Sequence, residues 1–144
     1  MFIRAALELG KRSQFEDTSK IQITKSDHAY DVFAKVFYGL EVEQFAIIIL
    51  NRANRVITTR IISQGGITGT VVDPKVVFRL ANEWRGTSII LGHNHPSGQC
   101  HPSEADISLT RKMKQAGEMM ELPVLDHIIY CDDRYYSFAD EGRI

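Results

Sequence analysis

The most apolar stretch of the chain is the run FAIIIL at 45–50, which is bounded by polar residues. A run of strand formers this short predicts a buried strand rather than a helix. Turn residues follow at 51–54, and the Ile- and Thr-rich segment 55–63 predicts a second strand. Glycines at 65 and 66 predict another turn, before a short third strand over 68–72. These segments together predict an antiparallel meander.

Apolar residues at helical spacing predict four helices. The first covers residues 2–9, and the second opens near Ser26 or Asp27 and stops near Gly39. The third starts with Asp73 as N-cap and proline at the first helical position, and reaches position 86. The fourth runs from about 103 to 121, and its predicted apolar face is Leu109, Met113, Ala116 and Met120.

Strands are also predicted over 88–91, 124–130 and 135–138. A meander followed by alternating helices and strands is typical of an α/β domain, with a mixed β-sheet between two helical layers. We therefore expect a three-layer domain over 26–144, preceded by an N-terminal helix and connector over 1–25.

Composition limits the possible partners and surroundings of this domain. The 144 residues are 44% hydrophobic and 24% charged, with a net charge of -1, which is typical of one folded unit. The absence of a basic excess argues against nucleic acid as the main partner. Cys100 and Cys131 form no paired motif, so we expect free thiols and a cytoplasmic location. Charges at Arg4 and Glu8 interrupt the N-terminal apolar stretch, so no export or membrane anchoring is expected.

His93 and His95 directly follow the strand predicted over 88–91. If the extended backbone continues, its two-residue period points both imidazoles to one side, where they can share a metal ion. A His-x-His pair alone is more often explained by loop polarity or by hydrogen bonds in a core. The metal interpretation therefore needs a further ligand.

Asp106 supplies a candidate third ligand. Ser103 and Asp106 have the spacing of a helix capping box, and that purely structural interpretation is sufficient by itself. Asp106 nevertheless shares a helix face with Leu109 and Met113, and a carboxylate that points into a core needs a partner. Two histidines and one aspartate leave the fourth position of a tetrahedral zinc ion open, as catalytic sites do. We therefore predict one Zn²⁺ per chain.

A zinc hydrolase also needs a proton acceptor, which is normally a glutamate. The candidates are Glu41, Glu43, Glu83 and Glu104. Glu43 is favoured, because it shares the two-residue parity of the strand at 45–50 and lies closer to it than Glu41 does. A solvated surface side chain remains the alternative for each of them.

Asp126 and His127 lie just inside the first closing strand. They are candidates for orienting a metal-bound imidazole, and the alternative is a satisfied structural pair.

His93, His95, Ser103 and Asp106, with Glu43 upstream, resemble the motif of the JAMM (MPN-domain) metalloproteases. The strings HNHPSG, PSEAD, LDHII and YYSFADEG are similar to the RadC-like branch of that superfamily, from about residue 26 onward. The resemblance implies a cytidine-deaminase-like α/β fold with zinc on the two histidines and the aspartate. It further implies Glu43 as general acid and base, and Ser103 as a hydroxyl that helps to hold the oxyanion.

The resemblance implies a peptide or isopeptide substrate of unknown identity. Longer RadC-like proteins carry an N-terminal helix-hairpin-helix domain, whereas this chain resembles a short form without it. Two rival functions are a non-catalytic interaction module and a DNA-processing metalloenzyme. The retained ligand set argues against the first rival, and the near-neutral charge against the second. The absence of the paired H-x-E and P-C-x-x-C signatures argues against a zinc deaminase.

Overall fold

The computed structural model describes residues 21–65 and 71–144. Within those ranges the chain forms three helices and five strands: α1 (Ser26–Phe37), β1 (Gln44–Leu50), β2 (Val56–Gln64), α2 (Pro74–Glu83), β3 (Ser88–Asn94), α3 (Glu104–Met119), β4 (Val124–Tyr130) and β5 (Tyr135–Ser137). The helix predicted at 2–9 lies outside the described residues, as does most of the strand predicted at 68–72. Val71 and Val72, which are described, are not in a strand.

The strands form one mixed sheet in the order β2-β1-β3-β4-β5. β1 runs antiparallel to both β2 and β3, whereas β3 and β4 are parallel and β5 is antiparallel to β4. The parallel pair brings the C-terminal ends of β3 and β4 to the same edge of the sheet. The predicted mixed sheet is confirmed, and the candidate ligands His93 and His95 lie at this end of it.

Helices cover both faces of the sheet, because successive strand residues point to opposite sides. Ala46, Ile48 and Leu50 of β1 pack with α1 on one face. Ile47 and Ile49 pack with α2 and α3 on the other. The predicted three-layer α/β architecture is therefore confirmed.

A glycine lets α1 approach β3 just before the first histidine of the His-x-His pair. A Cβ at Gly92 would lie 2.5 Å from the ring of Phe33, which is closer than any side-chain carbon tolerates. Gly92 thus faces α1, and the alternation of the strand directs His93 to the opposite face, towards α3.

The predicted apolar face of α3 is confirmed at Met113, which is buried, and at Leu109 and Ala116, which are partly buried against the same core, but the prediction was wrong at Met120. Thr110, Met113 and Gly117 are its buried residues, whereas Met120 lies beyond the last helical turn and is exposed. Gly117 is buried because the chain that follows the helix packs directly against it. A Cβ at Gly117 would lie 2.5 Å from the backbone carbonyl oxygen of Leu122.

No helix over 21–65 and 71–144 combines the length and the apolar character needed to cross a bilayer.

Cys100 and Cys131 form a disulfide, so the prediction of two free thiols was wrong. Cys100 lies in the loop before α3, and Cys131 directly follows β4. A sequence separation of 31 residues gives no indication that they meet. They meet because β3 and β4 are parallel, which brings the loop after β3 next to the end of β4.

Candidate metal centre

β3 is longer than predicted and carries the first histidine within the sheet. It continues to Asn94, and beyond it the His95 amide donates to the Tyr130 carbonyl at 2.9 Å. Extended pairing with β4 therefore persists through the His-x-His segment. Both imidazoles point to the same side, and the two Nε2 atoms lie 2.9 Å apart. His93 is only 3% exposed.

Asp106 faces this histidine pair from the first turn of α3. Its Oδ1 lies 3.4 Å from Nε2 of His93, and its Oδ2 lies 3.4 Å from Nε2 of His95. It also completes a capping box, in which the Ser103 amide donates to Oδ2 at 2.8 Å and the Asp106 amide donates to Oγ of Ser103 at 3.1 Å. The cap and the approach to the histidines therefore coexist, and the cap holds the carboxylate in place.

The three donor groups have the separations that a small tetrahedral cation requires. Ligands at the usual 2.0–2.1 Å from zinc lie about 3.3 Å from one another. Here the three separations are 2.9, 3.4 and 3.4 Å. Two imidazole nitrogens and a carboxylate are also a donor set that suits zinc. The residues of this site therefore fit a metal ion.

A chain of hydrogen bonds fixes which nitrogen of His93 faces the site. The Thr110 hydroxyl lies 2.6 Å from the backbone carbonyl oxygen of Asp106 and 2.6 Å from Nδ1 of His127. Because the carbonyl can only accept, Thr110 donates to it and accepts from Nδ1–H of His127. His127 Nε2 then accepts from Nδ1–H of His93, at 2.8 Å. This leaves the Nε2 lone pair of His93 directed into the site.

His95 is oriented in the same way by the loop that follows it. Its Nδ1 donates to the Gln99 carbonyl at 2.7 Å, so its Nε2 also faces the site. Burial disfavours the charged forms of both His95 and Asp106, but the contacts between the imidazoles and the carboxylate outweigh this effect. The pKa of His95 is raised, and contacts with both imidazoles hold the pKa of Asp106 well below its usual range. The cluster therefore favours a positive charge between its members, carried either by protons or by a metal ion.

Glu43 also lies close to the histidine pair, one residue before β1. A carboxylate oxygen of Glu43 and the nitrogens of His93 and His95 all lie within 4.8 Å of one another, and the three side chains form a group that could hold a metal ion. The remaining candidate glutamates are exposed: Glu41, Glu83 and Glu104.

The two residues considered for orienting a ligand are placed differently. His127 is fully buried and contacts His93, and burial holds its pKa well below the ordinary value, so its ring is neutral. Asp126 does not contact His93 or His95, because the alternation of β4 turns it to the opposite face. Its carboxylate accepts from the Ser137 hydroxyl and from the amides of Ala139 and His127.

Asn94, between the two histidines, was missed by the sequence analysis. It is 2% exposed, and its carboxamide bonds to the backbone of Val42 and Gln44. Its position between the two candidate ligands was the only available signal, because the strand was predicted to end at residue 91.

A family model described as RadC-like JAB domain matches residues 23–143, which is most of the chain. The chain belongs to the RadC-like JAB domain family. Ile23, at the start of the match, packs in the core beneath α1.

Relatives of this RadC-like domain cover nearly all of the chain. A UPF0758 protein of Flavobacterium johnsoniae is 46% identical over 141 residues, which is 97% of this chain and 62% of the relative. UPF0758 proteins of Staphylococcus carnosus and Salinibacter ruber are each 37% identical over 99% of this chain, and over 63% and 62% of their own lengths. The chain thus spans somewhat less than two thirds of these relatives.

Proposed function

We propose that this RadC-like domain is a zinc-dependent hydrolase of amide bonds, with a peptide or an isopeptide as substrate. One observation carries the proposal. Nε2 of His93, Nε2 of His95 and the Asp106 carboxylate converge at 2.9–3.4 Å, with a second carboxylate on Glu43 beside them. A site that served only to stabilise the fold would more typically offer four protein ligands.

His93, His95 and Asp106 are assigned as the metal ligands in this proposal. Asp106 is preferred to Glu43, because both of its oxygens approach the histidines at 3.4 Å and the capping box fixes them there. When bound at three protein ligands, zinc supplies a Lewis acid for the substrate carbonyl and lowers the pKa of a water at its open position.

Glu43 is assigned as the group that moves the proton. Its carboxylate is partly exposed and within reach of the histidine nitrogens, so substrate and water have access to it. Glu43 accepts a proton from the attacking water and returns it to the departing amine. General acid and base catalysis of this kind contributes about 100-fold or more.

Ser103 is assigned as a donor to the oxyanion that develops on the substrate carbonyl. Its Oγ serves the capping box as an acceptor, which leaves the role of its hydroxyl proton open. A preorganised donor at this position is worth about 100-fold in turnover.

The proposal is tested with zinc-loaded protein and a panel of fluorogenic peptides and lysine-linked isopeptides. Glu43→Gln should keep the metal and lose about 100-fold in turnover. Glu41→Gln, a neighbouring carboxylate that is exposed, should stay within about twofold of the wild type. Equal losses in both variants would contradict the assignment of Glu43.

Ser103→Ala should lower turnover about 100-fold with little change in KM. Ser103→Asp should not restore turnover, because a carboxylate repels a developing oxyanion. Near-normal turnover in Ser103→Asp would reduce Ser103 to a helix cap.

The same preparations separate the alternative functions. A zinc-loaded wild type that cleaves no member of the panel would support a non-catalytic interaction module. DNA cleavage that His95→Ala abolishes would support the DNA-processing alternative instead.

A further inference from the structure

Asn94, the residue between the two histidines, is buried where the regular pairing of β1 with β3 ends, next to the candidate metal site. β1 and β3 pair regularly from Leu50↔Ser88 to Phe45↔His93. Asn94 comes next on β3 and is 2% exposed. Burying a carboxamide is costly unless its donor and its acceptor are both paired.

Both halves of the carboxamide are paired, with the backbone on either side of Glu43. The Gln44 amide donates to Oδ1 of Asn94 at 2.7 Å. Nδ2 of Asn94 donates to the Val42 carbonyl at 3.0 Å. A side chain thus continues the β1–β3 pairing past its last backbone pair, across the peptide units that flank Glu43.

A third bond holds the same segment from the β2 side. The Gly65 amide donates to the carbonyl of Glu43 itself at 2.7 Å. The backbone around Glu43 is therefore held on both sides, and beyond the Phe45↔His93 pair its bonds to β3 are those of Asn94. No bond in this set involves the carboxylate, which stays available for chemistry.

We propose that Asn94 is a positioning residue for Glu43. Its carboxamide fixes the segment Val42–Gln44 against β3, and so sets the distance from the Glu43 carboxylate to His93 and His95. This inference rests on the proposed function in so far as Glu43 transfers a proton. A displacement of about 1 Å in a catalytic group costs on the order of 100-fold in rate.

Asn51 provides a matched control at the opposite end of β1. Its Oδ1 accepts from the amides of Ala53 and Arg55 at 2.9 and 3.0 Å, so it also binds two backbone groups. Those bonds close the turn between β1 and β2, away from the histidines. Replacing either asparagine by alanine removes two bonds, but only one replacement frees Glu43.

The first measurement needs no activity. Asn94→Ala should retain one zinc per chain, and NMR-detected hydrogen exchange of the Gln44 amide should accelerate at least about tenfold, since that amide loses its acceptor. Asn51→Ala should leave the exchange of Gln44 unchanged. Unchanged exchange in Asn94→Ala would overturn the proposal, even if the wild type cleaved no amide.

The second measurement is a double-mutant cycle on the amide substrate. Asn94→Ala should lower kcat about 10- to 100-fold with little change in KM, and Asn51→Ala should leave kcat within about twofold. Added to Glu43→Gln, Asn94→Ala should cost less than about threefold, because it acts through a group already removed. Independent, multiplying losses would overturn the positioning role.

If Asn94→Ala proves too unstable to purify, Asn94→Leu takes its place. This variant nearly keeps the shape and volume of the side chain, so it leaves no cavity, and it removes both bonds. The same non-additive pattern with Glu43→Gln is expected. Multiplying losses would again overturn the proposal. A wild type without turnover would contradict the proposed function, and an intact tether of the Gln44 amide would distinguish that failure from failure of this inference.

Discussion

Asp106 in α3 and Asp126 in β4 are two carboxylates with opposite electrostatic surroundings, the first partly buried and the second buried. The Asp126 carboxylate accepts three hydrogen bonds, yet burial outweighs them and raises its pKa. Burial of Asp106 is outweighed by contacts with His93 and His95, and its pKa is held well below the usual range. Asp126 is thus satisfied by neutral donors, whereas Asp106 is stabilised by positive charge.

This difference indicates which of the two carboxylates is suited to a cation. Hydrogen bonds from a hydroxyl and two amides satisfy a carboxyl group within the protein and leave nothing for a ligand. Asp106 instead faces two imidazole nitrogens, which need a proton or a metal ion between themselves and the carboxylate. We therefore expect loss of Asp126 to damage the fold and loss of Asp106 to damage the site.

The largest expected effect is the difference in stability between the variants that lack Asp126 and Asp106. Asp126→Ala leaves three donors without an acceptor, of which those of His127 and Ser137 are buried, and should lower the free energy of unfolding by on the order of 4 kcal/mol. Asp106→Ala removes one helix cap and should cost only about 1 kcal/mol in metal-free protein. Urea unfolding of the two metal-free variants measures both values. Equal destabilisation would mean that the distinction between the two carboxylates is wrong.

The disulfide joins the two elements that carry these aspartates, because it connects the loop before α3 to the end of β4. Closing a loop of this length restricts the unfolded chain, so replacing Cys100 and Cys131 together by alanine should cost about 3 kcal/mol. A reductant should lower the stability of the wild type to that of the double variant and leave the variant unchanged. Identical unfolding of the wild type with and without reductant would contradict this prediction.

The next effect is a loss of about 2 kcal/mol in zinc affinity when the chain of hydrogen bonds from α3 through β4 to His93 is broken. His127→Phe keeps a ring in the space beside Phe138 but leaves Nδ1 of His93 without its partner. Loss of such a partner typically weakens metal affinity by about 10- to 100-fold. Zinc titration against a competing chelator measures this affinity, with replacement of His28, a partly exposed histidine outside the site, by phenylalanine as the control. Equal affinity in His127→Phe and the wild type would remove His127 from the support of the site.

Local patterns predicted much of this molecule, and non-local contacts account for what they missed. The His-x-His pair, the cap at Ser103 and the inward face of Asp106 follow from spacings of a few residues. The contact of His127 with His93 depends on the parallel pairing of β3 and β4, which no short window of sequence reveals. The partners of Asn94 lie 50 and 52 positions away, which hides its role in the same way.

The central claim is that the histidine pair and Asp106 hold a metal ion while Glu43 remains outside the ligand set. The most direct test is the zinc content of purified wild type, His95→Ala and Glu43→Gln after loading and dialysis. Because a three-ligand site loses most of its affinity with one ligand, we expect one zinc per chain in the wild type and in Glu43→Gln, and almost none in His95→Ala. Equal zinc in the wild type and His95→Ala would contradict the metal centre, and loss of zinc in Glu43→Gln would make Glu43 a ligand rather than the base.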